Sequence, residues 1–150
     1  NAFHMTAPPK GAVGSARVMA ASLEDAAMNA TDIQHICAHA TATRANDPAE
    51  VAALKTVFGE RLAEMTVSGH KSQFGHMMGA AGLAEAIATV KILENQIIPP
   101  TVNHGDPDPE CPVDCIADGP RKCSLSSAIT NSAGIGGNNA SLVIAKKGIE

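Results

Sequence analysis

Apolar positions recur along this chain in two rhythms, one close to 3.6 residues and one of short unbroken runs, and the two alternate. Ala12, Ala16, Met19, Leu23 and Ala26 are spaced by three and four, with Arg17, Glu24 and Asp25 on other faces, which predicts an amphipathic helix over 11–28. Thr31-Asp32 make a turn, and the run from Ile33 to Ala38 reads as a strand ending at His39. Asp47-Pro48-Ala49-Glu50 is a helix start, with Asp as N-cap and Pro in the first turn, and that helix runs to Phe58 and stops at Gly59. Met65 to Gly69 is a second short strand. From His76 to Asn95, Met77, Met78, Ala80, Ala81, Leu83, Ala84, Ala86, Ile87 and Ala88 surround the axis on all sides, the pattern of a buried helix. Gly79 and Gly82 in it would let neighbouring backbones approach closely. A proline-rich connection over 96–112 leads to three strands near 113–117, 127–131 and 139–145, the last two joined by Ser132-Ala133-Gly134-Ile135-Gly136-Gly137-Asn138. The order implies a layered α/β domain, a mixed sheet with helices on both faces.

Composition narrows this picture. The chain has 150 residues, enough for one domain with its own core, but only three Phe and neither Tyr nor Trp. The interior must be packed from Ala, Val, Ile, Leu and Met. A charged content of 17% suggests that much of the surface is covered by something else. The net charge of −4 and the absence of a basic stretch argue against nucleic acid as a partner. No run of about 18 apolar residues marks a membrane span, and the N-terminus has neither the basic start nor the apolar stretch of a signal peptide. It also lacks an initiator Met, so the expectation is a chain that begins inside a longer one. Cys37, Cys111, Cys115 and Cys123 form no disulfide framework and are expected to be reduced thiols in the cytoplasm. Together with His104, the last three fit no familiar zinc spacing.

Two histidines are the main chemical signal. His39 closes the first strand within His39-Ala40-Thr41-Ala42-Thr43, and His76 closes His70-Lys71-Ser72-Gln73-Phe74-Gly75-His76 ahead of the buried helix. Each alone has a plain structural alternative, a strand-capping or helix-capping histidine. Together, at the ends of neighbouring strands, they can converge on one substrate oxygen and stabilise an enolate by hydrogen bonding. The helix start at His76 should favour an uncharged ring. Glu85 is the only charge in the first fourteen residues of that helix, and a buried carboxylate without a partner costs several kcal/mol. Either it lies in a wet groove or a cation reaches it, and Lys71 on the feeding loop is placed to do so; Asp47 and Glu50 could join the pair or simply cap their helix. Gly134-Ile135-Gly136-Gly137 lacks the ending of a phosphate loop but could offer free backbone N–H groups at a tight turn.

These segments, in this order, resemble the C-terminal half of the β-ketoacyl-acyl-carrier-protein synthases, the condensing enzymes of fatty-acid and polyketide synthesis. The resemblance rests on Phe3-His4-Met5-Thr6 with Pro8, His39-x-Thr41-x-Thr43 with Asp47 and Glu50, Lys71-Ser72 with Gly75-His76, Gly79-Ala80-Ala81-Gly82 with Glu85, Ile98-Pro99-Pro100-Thr101, and Asn131-Ser132 with Gly134-x-Gly136-Gly137-x-Asn139. It implies a thiolase-like α/β/α fold, with residues 1–150 as a C-terminal half-domain whose first strand and N-terminal half are absent. It further implies decarboxylative Claisen condensation of a malonyl thioester with an acyl thioester, on acyl carrier protein, with no cofactor. By position His39 and His76 would bind the malonyl carbonyl, Lys71 with Glu85 would hold the loop, Thr41 and Thr43 would meet the phosphopantetheine arm with Thr6 beside it, and the N–H of Ile135 would serve an oxyanion hole. The family's nucleophilic cysteine belongs to the N-terminal half, so this chain alone is not expected to condense anything. A homodimer or heterodimer is the expected assembly. Ala40 stands where the family usually has Gly, and Ala133 and Ile135 stand where it usually has two Phe. Those last two positions keep open a non-catalytic partner, like a chain-length factor, or an inactive remnant.

Overall fold

The computed structural model describes residues 3–147. Four helices appear in it: α1 (Val13–Asp25), α2 (Asn46–Phe58), α3 (Lys71–Phe74) and α4 (Ala81–Asn95). A five-stranded sheet is built from β1 (His35–Cys37), β2 (Thr66–Ser68), β4 (Asp114–Cys115), β6 (Ser127–Gly134) and β7 (Asn138–Ala145) in the order β4-β2-β1-β6-β7. Its β4, β2, β1 and β6 run parallel, and β7 returns antiparallel to β6, so the sheet is mixed. A small antiparallel pair, β3 (Ile97–Ile98) with β5 (Arg121–Lys122), lies apart from it.

Strand alternation sorts the interior into two layers. Ile36, Val67 and Ile129 point to one face, where Ala16, Met19 and Leu23 of α1 and Ala53, Leu54 and Phe58 of α2 cover them. Cys37 points to the other, toward Ile92 of α4 and Ile98 and Ile116. Helices therefore cover both faces, as the sequence pattern predicts. β1 is buried along its whole length, the mark of a central strand between two layers.

Two element boundaries differ from expectation for local reasons. α2 begins at Asn46, one residue ahead of Asp47, and no side chain of its N-cap Ala45 serves it. The Oγ1 of Thr43 accepts the Asn46 N–H instead (3.1 Å), and Asp47 sits inside the first turn. α2 does stop at Gly59, whose φ of 57° is open to glycine. The helix expected from His76 starts only at Ala81, after a 3-10 turn over Met78–Ala80.

α4 also corrects the expectation of burial on every side. Its inward stripe is Ala81, Glu85, Thr89 and Ile92, while Leu83 and Ile87 on the opposite stripe are 67% and 53% exposed and Val90 is partly so. A sheet can cover one side of a helix, and no other layer lies over this one among the described residues. Gly82 does bring α4 close to β6, since a Cβ there would meet Ser132 Oγ at 3.3 Å; Gly79 faces open space.

Candidate active site

The site forms where β1 and β2 end on the same side of the sheet. Their register pairs Cys37 with Ser68, and the Ala38 N–H extends it by donating to the Ser68 carbonyl (2.9 Å). His39 follows, 6% exposed, at the head of a loop with two alanines in the left-handed region, Ala40 at φ 38° and Ala42 at φ 57°. A loop with that backbone needs an anchor, and Glu50 on α2 supplies it. One of its carboxylate oxygens accepts the His39 N–H (2.8 Å) and the other the Ala40 N–H (3.0 Å). Glu50 is buried, and burial pushes its carboxyl above the usual range against the pull of those two N–H groups. Neither Glu50 nor Asp47 hydrogen-bonds Lys71, so Glu50 holds the loop rather than joining the buried ion pair.

His76 arrives from the other strand. After β2, the short α3 turns the chain at Gly75 (φ 77°), and His76 occupies the link ahead of the 3-10 turn instead of a helix start. Its Nδ1 accepts the Met78 N–H (3.1 Å), so in the neutral ring the proton resides on Nε2. The rings of His39 and His76 meet edge to face, centroids 5.7 Å apart and planes at 87°. Burial, with help from the Lys71 ammonium and His76, pulls the His39 pKa down to about 4, against a smaller opposing pull from Glu85. The buried Nδ1 of His39 has no hydrogen-bond partner among the described residues, and a doubly protonated ring would need one. His39 is therefore a neutral imidazole near pH 7.

Both rings line a cavity of about 430 Å³ that also takes in Thr6, Thr41, Thr43 and Ile135. Thr41 and Thr43 share a hydrogen bond (3.2 Å). Thr6 belongs to a turn in which Nδ1 of His4 accepts the N–H groups of Thr6 and Ala7 (both 3.2 Å). Met5 ties that turn to the glycine-rich hairpin by accepting the Gly136 N–H (2.7 Å). Ile135 is at the tip of this β6–β7 hairpin, and Ala133 contributes a small side chain to the same wall.

Lys71 and Glu85 are behind the cavity, not in its wall. Lys71 Nζ donates to Glu85 Oε1 (3.2 Å), with both side chains buried, so the wet groove is not where Glu85 lies. A second basic group shares the carboxylate: His70 Nδ1 is 2.9 Å from Glu85 Oε2. The sequence pattern passes over His70, although it adjoins Lys71 and is equally placed to answer the question of what neutralises Glu85. His4 and Asn46 also line the cavity; no motif singled out Asn46.

The family model for the beta-ketoacyl synthase C-terminal domain matches residues 1–105. The chain belongs to the β-ketoacyl synthase family. Among curated relatives, it is 42% identical over 147 residues to 3-oxoacyl-acyl-carrier-protein synthase 2 of Vibrio harveyi, covering 97% of this chain and 35% of that protein. It is 41% identical over 142 residues to nodulation protein E of Rhizobium meliloti, covering 95% and 35%. Among solved structures, a β-ketoacyl synthase of Burkholderia phymatum matches with a TM-score of 0.89 at 37% identity, covering 97% of this chain and 35% of that one. A type II polyketide ketosynthase in complex with its acyl-carrier protein matches with a TM-score of 0.93 at 32% identity, covering 97% and 36%. The ishigamide ketosynthase/chain length factor matches with a TM-score of 0.92 at 38% identity, covering 99% and 36%. This β-ketoacyl synthase domain thus spans about a third of the length of the relatives it matches, and its fold is that of the thiolase-like ketosynthases.

Proposed function

We propose that this chain supplies the carbonyl-binding side of a decarboxylative condensing enzyme. A malonyl thioester carried on acyl carrier protein enters the cavity, and its thioester oxygen accepts hydrogen bonds from the neutral ring of His39 and from Nε2 of His76. Loss of carbon dioxide leaves an enolate on that oxygen. The enolate carbon then attacks an acyl thioester held on a cysteine, forming the new carbon–carbon bond and releasing the cysteine thiolate. Each donor to such an oxyanion is typically worth about 2.7–4 kcal/mol. Thr41, Thr43 and Thr6 face the phosphopantetheine arm, and the Ile135 N–H assists the acyl carbonyl. Lys71 with Glu85 keeps the loop before His76 in place.

The observation that carries this reading is the meeting of two rings, 5.7 Å apart, in the wall of one cavity. A relative solved with its acyl-carrier protein supports the carrier as partner. The nucleophilic cysteine belongs to an N-terminal part of the synthase, and the apolar outer stripe of α4 is the surface that part covers. Small Ala133 and Ile135 in the cavity wall leave more room than paired aromatic side chains and shape acyl-chain choice. Four free cysteines suit a reducing compartment, the cytoplasm.

The test is malonyl-carrier decarboxylation and product formation by the complete synthase containing this segment. Replacing His39 with Ala should lower decarboxylation about 10²–10³-fold. An unchanged rate would reject the assignment. A heterodimer whose turnover survives H39A would favour instead a partner subunit of the chain-length-factor kind, the reading motivated by Ala133 and Ile135.

A further inference from the structure

Behind the cavity runs a continuous buried chain of polar side chains, of which the proposed reaction uses only two. Thr66 Oγ1 is 2.7 Å from His35 Nδ1, and His35 Nε2 is 3.0 Å from Ser68 Oγ. Ser68 Oγ is 3.0 Å from His70 Nε2, and His70 Nδ1 is 2.9 Å from Glu85 Oε2. Glu85 Oε1 completes the chain by accepting from Lys71 Nζ. Cys37 Sγ lies 3.9 Å from Ser68 Oγ and is fully buried, so it offers no nucleophile to a substrate. His35, Ser68, His70 and Glu85 are at most 1% exposed. Such a run inside a protein is costly unless every member is satisfied.

The division of labour at Glu85 gives His70 its role. A carboxylate with one free oxygen would let the flexible Lys71 ammonium swing between both. With Oε2 taken by His70, Lys71 is confined to Oε1. From there Lys71 helps keep His39 neutral, as the direction of its influence on that ring requires. The same bond anchors the first residues of α3, the turn that delivers His76. We propose that His70 is a positioning residue for the condensation: it occupies one oxygen of Glu85 so that Lys71 and the His76 loop hold a single arrangement behind the two carbonyl-binding rings. Burial alone would lower the pKa of His70, but the nearby Cys37 thiol and the Glu85 carboxylate outweigh it and raise it to about 9. That shift favours the protonated ring, whose bond to Glu85 is charge-assisted.

This inference rests on the proposed reaction, and the experiment separates the two. In the complete synthase, Asn at position 70 places an amide donor close to the position of Nδ1, while Gln reaches toward Nε2 and Ser68. H70A should lower the kcat of malonyl-carrier decarboxylation 10–100-fold with the KM for the malonyl carrier changed less than twofold. H70N should recover most of that kcat, and H70Q should not. In an E85Q background, H70A should cost less than threefold more, because its partner is already altered. Equal rates in H70N and H70Q, full kcat in H70A, or losses that multiply with E85Q would each overturn the proposal. Should H70A fail to fold, the comparison of H70N with H70Q decides. If H39A abolishes decarboxylation while H70A does not affect it, only the role of His70 falls; if H39A has no effect, the reaction assignment falls with it.

Discussion

A histidine that must donate a hydrogen bond without bringing a charge is best buried beside a cation, and His39 is placed that way. Its ring should titrate near pH 4 when followed by NMR through the imidazole carbon protons, against about 6.5 for the unfolded chain. Between those values the unfolded chain binds the extra proton. Stability therefore falls as pH drops from 6.5 toward 4 and gains nothing from this group above 6.5. A titration near 6.5 in the folded protein would contradict the neutral-donor role. At the neighbouring residue, Ala40 adopts φ 38°, which costs a non-glycine residue about 1–2 kcal/mol. Its methyl group fits because Gly69 faces it: a Cβ on Gly69 would come 2.9 Å from the Ala40 Cβ. G69A should therefore destabilise the fold by about 1–3 kcal/mol, A40G should be neutral or stabilising by up to about 1 kcal/mol, and the double variant should recover most of the G69A loss in denaturant unfolding. The ionisable pair Lys71–Glu85 was legible from sequence because a lone carboxylate in an apolar helix demands a cation. His70 was not, since one candidate cation answered that demand and only side-chain geometry reveals a second.

At the level of elements, the helix–strand alternation was readable from periodicity alone, and the structure keeps the predicted order and mixed sheet. The failures lie at ends. Thr43 took the capping role read for Asp47, since a hydroxyl three residues ahead of Asn46 reached the free N–H first. α4 misled because periodicity reports which side chains are apolar, not which layer covers them. Glu50 illustrates the opposite limit: its place in a helix start was visible, yet its grip on two backbone N–H groups eleven and ten residues earlier was not. E50A should leave both groups without that acceptor and destabilise the loop by about 2–4 kcal/mol, with decarboxylation falling at least tenfold in the complete synthase. Normal activity in a folded E50A protein would show that the loop holds its shape without the anchor.

On the scale of the whole molecule, the chain is a family domain with one apolar helical stripe turned outward. If that stripe receives the N-terminal part of the synthase, L83E combined with I87E should leave the unfolding free energy of this domain within about 0.5 kcal/mol and abolish its association with that part in a pull-down. Retained association would move the interface elsewhere. The central claim is that the rings of His39 and His76 converge on one thioester oxygen. The most direct measurement is the infrared stretch of a ¹³C-labelled carbonyl in a malonyl-carrier analogue that cannot decarboxylate, bound to the complete synthase. The account predicts a shift to lower frequency on binding, partly reversed in H39A and partly in H76A. A stretch that neither substitution moves would contradict it.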